Sequence, residues 1–120
     1  MNALFDTNIL IDYMSGVEAA RKEIERYSNR AISVITWMEV MAGVLPDHES
    51  KTRVFLSTFI QLSIPPAVAE RAVLLRRQRK IKLPDAIILA TAEVGDRLLV
   101  TRNTKDFPAD HPGVRFPYQL

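Results

Sequence analysis

The stretch that most limits how this chain can fold is Ala86-Ile87-Ile88-Leu89-Ala90-Thr91-Ala92, which is apolar almost all round. A helix without a polar stripe has no face to offer water, so this one belongs in the core. Shortly after it, Leu98-Leu99-Val100-Thr101 is a continuously apolar strand rather than an alternating one. Strands of that kind are covered on both faces, as in a parallel sheet between two layers of helices.

The rest of the chain repeats the alternation. Ala3-Leu4-Phe5 is a short first strand, and Ile9 to Met14 reads as a turn or two of helix. Val17, Ala20, Ile24 and Tyr27 are spaced as one stripe of an amphipathic helix. Ala31 to Ile35 is a second strand, with a helix expected from Thr36 to about Val44. Pro46-Asp47 starts a helix carrying Val54, Phe55 and Phe59, and Ile60-Gln61-Leu62 is a weak third strand. Pro65-Pro66 opens a helix to about Lys80, Pro84 opens the buried one, and Val114-Arg115-Phe116 is a candidate edge strand. The expectation is a single three-layer α/β/α domain over residues 1–120, with a central parallel sheet of four to five strands.

Composition narrows the chemistry. Cysteine is absent and there are two histidines, His48 and His111, which excludes thiolate and multi-histidine metal sites. A metal here would be held by oxygen. No uncharged apolar run is long enough to span a bilayer, and the N-terminus lacks a basic leader, so the expected location is the cytoplasm. A net charge of +2 decides nothing by itself.

Four acidic residues share an address. Asp6 lies just past the first strand, Glu39 just after the second, and Asp106 after the fourth. Ligands in such folds bind beyond the carboxyl ends of the strands. Asp85 joins them if its helix starts at that same edge. Each has a bland explanation when taken singly. Asp6 is a candidate helix cap, Thr36-Trp37-Met38-Glu39 reads as a capping box, Asp85 suits a helix N-terminus, and Asp106 suits a turn. Together they repel, by on the order of 4 kcal/mol for a pair ~4 Å apart at an effective dielectric near 20. Either some hold protons or a cation neutralises them. An all-oxygen acidic site suits Mg²⁺ or Mn²⁺, one ion or two, and the chemistry is that of phosphodiester hydrolysis. Thr7, Asn8, Ser33 and Asn103 are candidate donors to orient the carboxylates. Asp12, six residues past Asp6, is expected at the surface.

Between Arg71 and Lys82 lie six basic residues and no acidic one. Arg79, Lys80 and Lys82 approach the acidic site and are candidate contacts for an RNA backbone, as is Arg102. A helix C-terminus decorated with cations is the competing explanation. The helix with Val54, Phe55, Leu56, Phe59 and Ile60 carries more apolar surface than one small sheet covers, which suggests a homodimer or another protein partner.

The segments Leu4-Phe5-Asp6-Thr7-Asn8-Ile9-Leu10, Ile35-Thr36-Trp37-Met38-Glu39-Val40, Lys82-Leu83-Pro84-Asp85-Ala86-Ile87-Ile88 and Leu99-Val100-Thr101-Arg102-Asn103-Thr104-Lys105-Asp106-Phe107 together resemble a PIN domain. Among PIN domains the chain is most similar to the VapC-type toxins of toxin–antitoxin pairs. The resemblance implies an Mg²⁺- or Mn²⁺-dependent endoribonuclease inhibited by a small antitoxin encoded beside it. Asp6, Glu39 and Asp85 match the family's first three acidic positions. The fourth falls at Asp106 or at the neutral Asn103, and Asp106 is preferred. A catalytically silent PIN-like module that only binds RNA or protein is the alternative. A receiver domain fits poorly, because Ser63-Ile64-Pro65 after the third strand offers no acceptor aspartate. A haloacid-dehalogenase phosphatase would want an aspartate where Asn8 stands.

Overall fold

The fold is that of a computed structural model, which describes residues 2–120. Five strands form one sheet: β1 (Asn2–Phe5), β2 (Asn29–Ser33), β3 (Ile60–Leu62), β4 (Leu98–Val100) and β5 (Val114–Arg115). They lie in the order β3-β2-β1-β4-β5, and every pairing is parallel. β1 is therefore central, with Ala3, Leu4 and Phe5 in register with Leu98, Leu99 and Val100 of β4.

The continuous apolar strands are explained by the two cores they feed. Leu4, Ala31 and Leu99 point to one face, where they pack with Val68, Ala72, Leu75, Ile88 and Leu89. These come from α5 (Pro66–Arg79) and α6 (Leu83–Val94), so the all-round apolar helix is buried as its composition requires. Ala3, Phe5, Ile32 and Val100 point to the other face, against Ile9, Leu10, Ile24, Leu56 and Phe59. Ile9 and Leu10 belong to α1 (Thr7–Met14), Ile24 to α2 (Glu18–Glu25), and Leu56 to α4 (Glu49–Ser57), which follows a 3₁₀ turn at Pro46–His48. The result is the expected three-layer α/β/α arrangement around a parallel sheet.

The boundary after β2 differs from the sequence reading in a way that bears on the site, beside shifts of one or two residues elsewhere. The helix after β2, α3, spans Val34–Ala42, so Val34 and Ile35 are helical rather than strand. Its cap is Ser33, in extended conformation, whose hydroxyl oxygen accepts from Ile35 N at 3.1 Å. The Thr36–Glu39 capping box is thereby overturned, since Thr36 already lies in the helix and its first turn holds no acid.

α4 also turns inward more than its composition suggested. Leu56 and Phe59 are buried, and the Phe55 ring stacks on Tyr13 at 4.7 Å, while Val54 remains 67% exposed. Trp37 is partly buried in the second core, with the Arg53 guanidinium 5.5 Å from its ring.

Candidate active site

β1 delivers Asp6 to the carboxyl edge of the sheet, where its backbone is extended and the chain turns into α1. Its Oδ1 accepts from Thr7 N at 2.8 Å, so Asp6 does cap that helix. Its Oδ2 accepts from the Asn8 side-chain amide at 3.1 Å and from the Thr101 hydroxyl at 2.7 Å. Thr101 directly follows β4, the neighbouring strand. Burial raises the Asp6 carboxyl above the ordinary range, the three hydrogen bonds pull it down, and the Glu39 charge pushes it up again. Burial prevails.

These partners are themselves oriented. The Asn8 Oδ1 accepts from Arg102 N at 3.1 Å, which settles which end of the amide faces Asp6. The Thr101 Oγ1 also accepts from Asn103 N at 3.0 Å, so its single proton is committed to Asp6.

Glu39 is exposed on α3, and its Oε1 accepts from the Thr7 hydroxyl at 2.6 Å. Because that proton is spent on a carboxylate, the 3.2 Å contact between the Thr7 and Thr36 hydroxyls must run with Thr36 as donor. Thr7 thus links α1 to Glu39 while its own backbone N–H holds Asp6.

Asp85 stands in the first turn of α6 and is half-buried. Its carboxyl is pushed up to about 6, first by desolvation and then by the charges of Asp6, Asp106 and Glu39, with Lys82 pulling the other way. Three carboxylates from three other elements are therefore close enough to repel it, which locates the start of α6 at the carboxyl edge. Asp106 follows β4 in a turn with Asn103. The Asn103 amide donates to Asp106 Oδ2 at 2.9 Å, and Asp106 N donates to Asn103 Oδ1 at 3.1 Å. The two contenders for the fourth position are joined, with the neutral one orienting the charged one.

Some expected contributors sit elsewhere. Ser33 is fully buried and spends its hydroxyl on the α3 cap. Ser33→Ala is accordingly expected to destabilise the fold by about 1 kcal/mol in urea titrations. RNA cleavage by the folded fraction should be unchanged; a large loss would return Ser33 to the site. Arg102, read as an RNA contact, is one-third exposed and engaged within the protein. Its Nε and Nη2 donate to Asp12 Oδ2 and Oδ1 at 2.7 and 2.9 Å. Asp12 is correspondingly a buried residue, 5% exposed, and not the surface acid its spacing suggested. Of the basic run, Arg71 is paired with Glu93 at 2.5 Å. Arg79, Lys80 and Lys82 are exposed, and Lys82 is near enough to Asp85 to act on its charge.

The donors facing this edge are all oxygen, and their mutual repulsion leaves the edge short of positive charge. Both observations fit a hard divalent cation. Among the described residues, no three acidic side chains close around one point at chelating distance. A depression of about 610 Å³ lined by Tyr13, Met14, Leu45, His48 and Phe55 lies on α1 and α4, and none of the four carboxylates lines it.

With this fold and edge in view, the chain belongs to the PIN domain family, whose model matches residues 3–109. Its place within that family is among the VapC-type ribonucleases. It is 33% identical over 113 residues to Ribonuclease VapC10 of Mycobacterium tuberculosis, covering 88% of this chain and 85% of that protein. Among solved structures, it is similar to a chain of a toxin–antitoxin complex from Klebsiella pneumoniae at 55% identity and a TM-score of 0.93. That match covers 99% of this chain and 100% of the other. A DNA-bound VapBC from Salmonella typhimurium matches at 25% identity and a TM-score of 0.81, over 96% of both chains.

Proposed function

We propose that this chain is the toxin of a toxin–antitoxin pair, a single-domain endoribonuclease that cuts RNA phosphodiester bonds with Mg²⁺ or Mn²⁺. The observation that carries the reading is geometric: Thr7 binds both Asp6 and Glu39, and the Thr101–Asn103 segment binds both Asp6 and Asp106, with Asp85 close enough for their charges to act on it. Asp6 and Asp85 are the residues that would hold the cation, with Glu39 and Asp106 completing its surroundings. The chemistry such an ion supplies is a more acidic bound water and neutralisation of charge on a phosphoryl oxygen.

The protein's own part is orientation. Thr101, Asn8 and Thr7 N hold Asp6, Thr7 Oγ1 holds Glu39, and Asn103 holds Asp106. Arg79, Lys80 and Lys82 supply positive charge for the RNA backbone on the approach to Asp85. The antitoxin is the partner proposed for the exposed apolar residues Tyr13, Met14, Leu45 and Val54 on the α1–α4 side. The part of α4 left uncovered is the proposed homodimer surface. Among the described residues no helix is long and apolar enough to cross a membrane, which fits the proposed action on cytoplasmic RNA.

The test is direct. Purified chain free of partner is expected to cut structured RNA with Mg²⁺ or Mn²⁺ and to stop on chelation, and Asp6→Ala should be inert. Cleavage that persists in excess chelator would overturn the metal-dependent reading. A well-folded, metal-loaded protein that never cuts would leave the silent binding module in its place.

A further inference from the structure

Asp12 is a buried acid outside the four-carboxylate edge, and its burial needs a reason. Its two oxygens take the Arg102 guanidinium as a fork at 2.7 and 2.9 Å, and Oδ2 also accepts from the Tyr118 hydroxyl at 2.7 Å. Three donors occupy most of this carboxylate's acceptor sites. Two of the Arg102 nitrogens are likewise engaged with Asp12. Only the carboxylate end of the pair is buried, Arg102 being one-third exposed, and a partly exposed ion pair contributes little to stability by itself. A bidentate fork does impose position and angle on the backbone that carries it.

That backbone is the exit of β4. Arg102 lies between Thr101, which donates to Asp6 Oδ2, and Asn103, which donates to Asp106 Oδ2. Its own N–H donates to Asn8, which in turn donates to Asp6. Fixing Arg102 therefore fixes, on either side of it, one hydrogen bond to each of two carboxylates.

We propose that Asp12 is a positioning residue: through the Arg102 fork, closed by Tyr118, it sets the placement of Asp106 relative to Asp6. This rests on the nuclease reading for its effect on rate, and on geometry alone for its effect on the loop. The consequence is a residue that never touches substrate and yet governs turnover.

The experiment follows amide hydrogen exchange and RNA cleavage in the full chain for Asp12→Asn, Arg102→Lys and the double variant. Asp12→Asn keeps the shape and loses the charge, and Arg102→Lys keeps the charge and loses the fork. Each is expected to speed exchange at the Asn103 and Asp106 amides at least tenfold, with Leu4 and Leu99 protected as before. Each should lower kcat by roughly 10–100-fold, with KM within about twofold, as for groups that orient metal ligands. The double variant should be no worse than the poorer single one, since all three break one contact. Unchanged loop exchange overturns the proposal. So does exchange that rises equally in the core, which would make Asp12 a general support of the fold, and so do additive losses. Wild-type protein that cuts no RNA defeats the nuclease reading separately, while the exchange data still decide what Asp12 does.

Discussion

Replacing Asp85 with asparagine is expected to lower RNA cleavage by on the order of 10³-fold and, in metal-free buffer, to make the protein more stable. The two effects have one origin. Folding raises this carboxyl from 3.8 to about 6, so the folded chain holds the proton more tightly than the unfolded one. The Asp85 contribution to stability is then greatest at low pH and declines as pH rises through the interval from about 4 to 6, where the folded protein is made to ionise Asp85. At pH 7 the wild type bears that strain and the asparagine variant does not. After discounting for the water that screens a half-buried carboxylate, the difference is about 1 kcal/mol. For a domain of this size that is a melting midpoint raised by roughly 3–5 °C. The gap should vanish below pH 4 and shrink at pH 7 when Mg²⁺ is added to the wild type. A variant that melts no higher than wild type in chelator, measured by calorimetry, would show that the carboxylates do not repel as described.

The second large effect concerns Phe5, one residue before Asp6. Its ring is fully buried and meets Tyr27 edge-on at 5.7 Å and Phe59 edge-on at 5.9 Å. Phe5→Ala removes these contacts on the central strand and leaves a cavity with helices on one side and the sheet on the other. The expected cost is about 3–5 kcal/mol, a third or more of what holds a typical domain together. Urea unfolding should show the midpoint fall with little change in slope. A loss below about 1 kcal/mol would mean that α2 and α4 collapse onto the gap and that this core is not rigidly packed.

The strands and long helices could be read from sequence because burial on both faces leaves an unmistakable trace. Leu98-Leu99-Val100 has no polar position to confuse the period, and the α6 run from Ala86 to Ala92 has one, Thr91. The start of α3 could not, because Val34 and Ile35 favour a strand by their branching. What makes them helical is one hydroxyl, on Ser33, turned to Ile35 N. For Asp85, the sequence required an assumption about where α6 begins, which the repulsion from three other acids now supports.

The pairing of Asp12 with Arg102 is not legible in the sequence for one reason. Their partnership spans 90 residues, and Tyr118 reaches Asp12 across 106. Nothing local announces either contact. One signal was available: Asp12 is the lone acid in a helix of otherwise apolar or neutral residues, beside the buried Ile9 and Leu10. A solitary charge in such a helix asks for a partner from elsewhere in the chain.

The central position of β1 has a consequence for how such a protein is born. Asp6 is made 95 residues before Thr101, which supplies one of its hydrogen bonds, and β4 supplies half of β1's pairing. At ordinary elongation rates of ~5–20 residues per second, roughly 5–20 s separate the two ends of that bond. Asp6 and Glu39 are made first, Asp85 follows 46 residues after Glu39, and Asp106 comes only after β4. A nuclease wired in this order stays disarmed while it is being synthesised, by topology alone, and becomes dangerous to the RNA around it only once β4 has docked beside β1.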